Sequence, residues 1–478
     1  MRQESQPLHT TLVRTEQHTT MESPMSATAN ATSPSPSNTA MGTQSHTPAE
    51  EQTVDAIVRR VDRTKETSML HRIVALVAAG MLLDGIDVYM ASTVASSSLA
   101  SHWSTVQENS YFLSAGFAGL LIGSLLAGFV GDLKGRRVAY QLNLLLFGGF
   151  TLIGAFSPNM TFLTVCRLGA GIGLGAEIVT GYAMVNEFAP AKTRGRLCAI
   201  ISLLANSAAP VTMLLCAWII PRFTWRPMFV AIGVLAGVIW YLRRDIPESP
   251  RWLAVHSRYD EADEIVRRLE ANGIDETPVE ASSKNAKFRS VGLCLFVALV
   301  AVGATNVCQY TFTSWVPTLL VKKGINLSGT LWISTLMLLG APVGCALSAF
   351  LLDRLGRKKV IVPAFVVTAI FGLLYAAQTQ QVWAIVVGFV LTVSLYVTFS
   401  AVIAVYTPEL FPTKVRFRCV GVANAFAKLL TVLMPMIVGW MLTTMGSTSI
   451  FIAISVIAAI AAVVVTVFGT ETGGKSVG

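Results

Sequence analysis

Five charged side chains stand inside long apolar runs of this sequence: Asp84, Asp87, Arg167, Glu177 and Lys428. A charge near the centre of a bilayer costs about 2.5–3.5 kcal/mol on insertion scales, so each needs a partner or a task. Asp84 and Asp87 are i,i+3 neighbours on one helical face, where two close carboxylates disfavour joint ionisation and favour one held proton. Helix rise puts Asp87 roughly 12 Å and Arg167 roughly 9 Å below the same membrane face, so the two should pair. Glu177 lies about 15 Å deeper than Arg167 and on another face, which excludes a direct pair between them. It reads as a proton relay or as a satisfied structural carboxyl. Lys428 is either a cation that snorkels to the membrane surface, roughly 14 Å away, or a charge kept for a ligand.

Two motifs recur at nearly one spacing. GFVGDLKGRR, Gly128 to Arg137, returns as AFLLDRLGRK, Ala349 to Lys358, with Asp132 and Asp353 at an offset of 221 residues. EFAPAKTR, Glu187 to Arg194, returns as ELFPTKVR, Glu409 to Arg416, at an offset of 222. Unrelated motifs repeating together imply a duplicated half, and in an apolar chain such symmetry implies a carrier. In the first motif Gly128 suits close helix packing, and Gly135 (with Gly356 in the repeat) suits a tight turn. Asp132 can accept charge-assisted hydrogen bonds, and Arg136 and Arg137 can bind carboxylates such as Glu187. Arg357 stands opposite Glu409 in the repeat by the same logic.

The elements that must position these residues are membrane helices. The chain is 53% apolar and only 13% charged, with a mean hydropathy of +0.59, too apolar for a soluble protein of this length. Spans of about 20 apolar residues are expected at 71–95, 109–130, 138–157, 161–185, 197–220, 225–243, 290–320, 328–351, 359–378, 382–406, 419–443 and 446–469. The fold class is therefore an all-α membrane protein of twelve transmembrane helices in two pseudo-symmetric six-helix bundles. Lys and Arg crowd the loops of one face, as at Lys134/Arg136/Arg137 and Lys414/Arg416/Arg418, while the other face has only Arg222, Arg226, Lys322 and Lys323. That asymmetry predicts both termini in the cytoplasm, and it accounts for the net charge of +9 without nucleic acid.

Residues 1–66 are rich in Ser, Thr, Gln and Pro, and are predicted to be a disordered tail. They precede an N-terminal bundle at 67–243, a linker at 244–289 with a short amphipathic helix carrying Ala262, Ile265, Val266 and Leu269, a C-terminal bundle at 290–469 and a tail at 470–478. The seven cysteines are irregularly spaced and read as small core residues. No nucleotide loop, metal cluster or nucleophile–base arrangement points to an enzyme or a cofactor.

Over residues 70–470 the arrangement resembles the major facilitator superfamily. The resemblance is carried by the repeated G-x-x-x-D-x-x-G-R-R loops, RLGAGIGLGAE in span four, NEFAPAKTRGR, PESPRWL and YTPELFPTKVR. DGID, Asp84 to Asp87, and YTFTSWVP, Tyr310 to Pro317, are similar to the metabolite:proton symporters, the aromatic-acid and nicotinate carriers that neighbour the sugar porters. The proline expected shortly after Glu177 is absent, so the bend of span four should differ. The resemblance implies alternating access and a proton site around Asp84, Asp87, Arg167 and Glu177. It also implies a cytoplasmic latch of Gly128, Asp132, Gly135, Arg136, Arg137, Glu187, Arg194, Asp353, Gly356, Arg357, Glu409 and Arg416. Partners would be a small molecule, protons and lipid, with the monomer as the working unit.

The 222-residue offset maps Asp84 onto Asn306, Asp87 onto Gln309, Arg167 onto Phe389 and Glu177 onto Phe399, while Lys428 maps onto neutral Asn206. Charge is kept in the first half and replaced by amides and aromatics in the second. This predicts proton handling by the first half and substrate contacts from Asn306, Gln309, Tyr310, Trp315 and Lys428 in the second. A lone cation among aromatics suits a small aromatic carboxylate better than a neutral sugar. A sugar or polyol symporter and a transporter-like nutrient sensor are the competing readings.

Overall fold

Apolar runs that must satisfy every backbone group internally leave the chain one option, and it takes it: no strand is present among the described residues. The computed structural model describes residues 48–274, 290–378, 380–411 and 413–472. The expected tail at 1–47, the linker stretch 275–289, the end 473–478 and the side chains of Asp353 and Lys414 lie outside the described residues.

Helix α1 (Pro48–Arg63) precedes the first bundle, which comprises α2 (Ser68–Ala100), α3 (Val106–Lys134), α4 (Arg136–Gly154), α5 (Met160–Phe188), α6 (Ala191–Phe223) and α7 (Arg226–Arg243). Short helices α8 (Pro250–Val255) and α9 (Tyr259–Leu269) follow. The second bundle starts with α10 (Val291–Lys322), and its next span is split into α11 (Leu327–Leu338) and α12 (Gly340–Leu355). Then come α13 (Arg357–Ala377) and α14 (Gln381–Phe399), which runs through a π-helical turn, Ser400–Tyr406, into α15 (Thr407–Glu409). The chain closes with α16 (Thr413–Thr444) and α17 (Ser447–Phe468). Among the described residues eleven spans are long and apolar enough to cross a bilayer. The twelfth, α4, packs against α5 and α7 as a bundle member, its average lowered by Arg136, Arg137, Gln141 and Asn143.

Helix α1 corrects the last part of the expected disordered tail. Ile57 and Val61 share one stripe and bury against Leu253, Val266 and Leu269. Its polar side is tied down as firmly. Arg60 reaches Asp263 at 2.5 Å and Glu270 at 2.7 Å, and its guanidinium holds the Asp263 carboxyl below the usual carboxylate range. Asp62 accepts from Arg194 at 2.5 Å and from Arg251 at 2.6 Å. The composition argument failed here because only residues 54–61 supply apolar surface, and their partner surface is distant in sequence. Asp62→Asn removes the charge shared by two guanidiniums. Trypsin is then expected to cut the 244–274 segment several-fold faster in the purified protein; an unchanged rate would show that α1 does not brace it.

Spans α3 and α5 cross almost backbone to backbone. A methyl group at Gly123 would run into the carbonyl of Ile172, and one at Gly175 into that of Leu120. The glycines of RLGAGIGLGAE thus serve close helix approach, which fixes the register of Arg167 and Glu177 beside α2. Helix α5 runs unbroken through Glu177.

Three contacts between the bundles involve residues in the middle of their spans or toward the face opposite the basic loops. The Tyr89 and Tyr396 hydroxyls bond at 2.6 Å, Phe117 meets Tyr310 edge-on at 5.1 Å, and Gly439 leaves room for Ser110. At the basic face the ion pairs of Arg136, Arg194 and Arg357 each close within their own half of the chain.

Candidate functional site

The site is built on α2, whose Asp84 and Asp87 are both buried. Asp87 is bonded to Arg167 of α5, the pair the helix depths predicted. Gly116 of α3 makes room for this guanidinium, since a Cβ there would lie 2.7 Å from Arg167 Nε, and the Phe112 ring lies 5.8 Å away. A charge-balanced pair is the form in which these groups can be buried, and removing one partner costs about 3–5 kcal/mol.

Asp84 does not share this pair. Its two oxygens have no hydrogen-bond partner, and the charged groups facing it are Glu177 and Arg243, with Asp87 one turn along its own helix. Glu177 bonds Arg243 Nη2 at 2.6 Å, and neither side chain has any exposed surface. Arg243 also donates to the carbonyl of Leu76 at 3.0 Å and lies 3.8 Å from the centre of the Tyr140 ring. Sequence reasoning excluded Arg167 as the partner of Glu177, which holds, but missed Arg243. At the end of a span beside Arg244, it reads as one more basic flanking residue.

The predicted substrate contacts sit on α10 and α16. Asn306 is turned onto its own helix, donating to Val302 O at 2.9 Å, while Gln309 is buried beside Tyr396. Tyr310 and Trp315 line a narrow cleft with Phe117, Thr431, Met434 and Pro435, whose free volume of about 10 Å³ holds little more than one water. Trp315 is fully packed there, not at a membrane surface, and its Nε1 is unpartnered. Lys428 is half-buried, and Thr431 and Pro435 follow it at i+3 and i+7, so it shares their helix face one turn below the cleft. Among the described residues no carboxylate lies within ion-pair distance of it. Tyr89 and Tyr396, which join the bundles beside Gln309 and Tyr310, carried no signal in the sequence beyond being aromatic.

The repeated loops fold alike. Gly135 and Gly356 take φ of +95° and +93°, the left-handed backbone that favours glycine, and each starts the next helix. Arg136 bonds Glu187 at 3.1 Å and Asp132 at 2.8 Å, and Arg357 bonds Glu409 at 3.0 Å. Glu248 accepts from the Arg136 N–H at 2.8 Å, and Glu471 accepts from the Arg357 N–H at 2.8 Å. Each carboxylate thus sits on a helix N-terminus, where the unpaired N–H groups favour it. Arg194 Nη2 donates to Ala189 O, and Arg416 Nε to Phe411 O, in the same relation. Two expectations are corrected, and one partner is added. A Cβ at Gly128 would meet nothing within 4 Å, so no close packing occurs there in this conformation. Arg137 donates to the Arg244 carbonyl at 2.5 Å and not to Glu187. Arg194 is held by Asp62 of α1, a partner the motif alone cannot reveal.

Residues 73–477 match the family model described as "Sugar (and other) transporter". The inner membrane metabolite transport protein YdjE of Escherichia coli (strain K12) is 33% identical over 437 residues, covering 87% of this chain and 96% of that protein. The niacin transporter NiaP of Acinetobacter baylyi is 27% identical over 434 residues, covering 88% and 98%. A partially occluded inward open conformation of the xylose transporter XylE from E. coli superposes with a TM-score of 0.73 over 86% of this chain and all of that one, at 18% identity. With twelve packed spans, paired loop motifs and these likenesses, the chain is a multi-pass membrane secondary transporter and belongs to the Sugar (and other) transporter family of the major facilitator superfamily.

Proposed function

We propose that this transporter is a proton symporter for a small organic acid of aromatic or nicotinate type. The observation that carries the reading is Lys428: a half-buried cation with no carboxylate in ion-pair distance among the described residues, on the helix face that continues into the Tyr310–Trp315 cleft. A carboxylate leaving water needs a fixed positive partner or its desolvation is uncompensated, and aromatic walls suit a planar ring. The similarity to a niacin transporter supports the same substrate class. Coupling falls to the Asp87–Arg167 pair, because a buried carboxyl that trades its guanidinium for a proton changes charge without leaving the site.

The basic loops face the cytoplasm by their Lys and Arg excess, and their ion pairs close within each half and not across the halves, which suits an inward-facing conformation. In the outward-facing state the charges at Asp132, Arg136, Glu187, Arg194, Asp353, Arg357, Glu409 and Arg416 would hold the cytoplasmic side shut, with Gly128 then in contact. Asn306 and Gln309 supply amides that a sugar or polyol could use, which keeps that substrate class as the second reading. Uptake of labelled nicotinate, 4-hydroxybenzoate and xylose into proteoliposomes separates the two. An inward proton gradient is expected to drive accumulation of the acids and not of xylose; accumulation of xylose alone would reverse the assignment.

A further inference from the structure

Charge arithmetic around α2 does not close. Three buried carboxyls, Asp84, Asp87 and Glu177, face two guanidiniums, Arg167 and Arg243, so full ionisation would leave one uncompensated negative charge. Asp87 and Arg167 balance each other, which places the excess among Asp84, Glu177 and Arg243. We propose that these three residues form a second proton-carrying site, in which two carboxyls share one proton opposite a single guanidinium. As a relay it rests on the proton-symport reading; as a protonation state it does not.

The geometry of the cluster supports a shared proton. Glu177 Oε1 is bonded to Arg243 Nη2, whereas Glu177 Oε2, both Asp84 oxygens, and Arg243 Nε and Nη1 are buried without partners. A bare carboxylate in that position is the costliest occupant, and a protonated carboxyl the cheapest. Arg243 acts electrostatically on Asp84 as well as bonding Glu177 and has two nitrogens without partners, so the guanidinium can serve either acid once the proton moves to the other. Gly80 keeps the space open, since a Cβ there would collide with Arg243 and lie 2.6 Å from Glu177. Glu177 comes from α5, Arg243 from α7, Asp87 from the helix of Asp84 itself, and the Tyr140 phenol of α4 stands beside Arg243. Among the described residues the other helices packed on α2 bring no charged group to Asp84.

Asp84 lies one helical turn from Asp87 on the side of the basic loops, which gives the site its place in a relay. The Asp87 carboxyl gives its proton to the cluster, and the carboxylate so formed returns to Arg167. The cluster, now holding two protons, breaks one O–H bond toward water on the basic-loop side; the carboxylate formed pairs with Arg243, and the other acid keeps the shared proton.

Infrared spectroscopy of the purified full chain near neutral pH tests this, because the C=O stretch of a protonated carboxyl is resolved from that of a carboxylate. The wild type is expected to show a protonated-carboxyl band that disappears in Asp84→Asn and also in Glu177→Gln, since either change leaves one acid balanced by Arg243. Arg243→Gln should roughly double the band, because neither acid then has a cation, and Arg243→Lys should restore the single intensity. Asp87→Asn should leave the band in place. Survival of the band in both Asp84→Asn and Glu177→Gln, or its loss in Asp87→Asn, overturns the proposal. The band pattern needs no transport, so absence of proton-driven nicotinate uptake alongside it would count against the symport reading alone.

Discussion

Lys428→Met is expected to raise the apparent Kd for nicotinate roughly 10- to 100-fold and to erase the preference for nicotinate over nicotinamide. A hydrogen bond to a charged group contributes about 1.5–3 kcal/mol, and each 1.4 kcal/mol is tenfold in affinity. Methionine keeps the length and the apolar stem, so packing around Thr431 and Pro435 is disturbed least. Neither guanidinium of the first half offers a substitute, because Arg167 is bonded to Asp87 and Arg243 to Glu177. Competition between the acid and its amide in both proteins is the measurement. A wild type that does not prefer the acid, or a mutant that keeps the preference, would hand the site to a polyol or sugar.

Asp87→Asn should reduce accumulation driven by a pH gradient to equilibration, while exchange of labelled for unlabelled nicotinate continues at a lower rate. Asparagine can still accept from Arg167 but cannot carry a proton, so what is removed is titration and not merely a contact. The variant also leaves Arg167 without its counter-charge in a buried site, a loss of about 3–5 kcal/mol if nothing moves, so yield and monodispersity must be compared alongside. Concentration of nicotinate by a well-folded Asp87→Asn protein would remove Asp87 from the coupling mechanism and leave the Asp84 cluster to account for it.

Much of this was legible in the chain because membrane physics leaves few alternatives. Runs of about 20 apolar residues can only be helices, and two motifs repeating at one offset can only be a duplicated half. The Asp87–Arg167 pair was readable for the same reason: equal depth and opposite charge in lipid bring partners together. The sequence could not say which acid goes with which base once several lie at similar depth, because that depends on helix crossing. The Gly123 and Gly175 contacts set α5 so that Glu177 points at Arg243, a residue whose place beside Arg244 disguised it as a flanking charge. Composition likewise predicted disorder up to residue 66, yet Ile57, Val61, Arg60 and Asp62 find partners more than a hundred residues away on α6, α8 and α9. Local pattern determined the helices, the symmetry and the candidate charges. Only tertiary packing decided how those charges divide into a balanced pair and a cluster one guanidinium short, because pairing in a dry interior follows distance and not order along the chain.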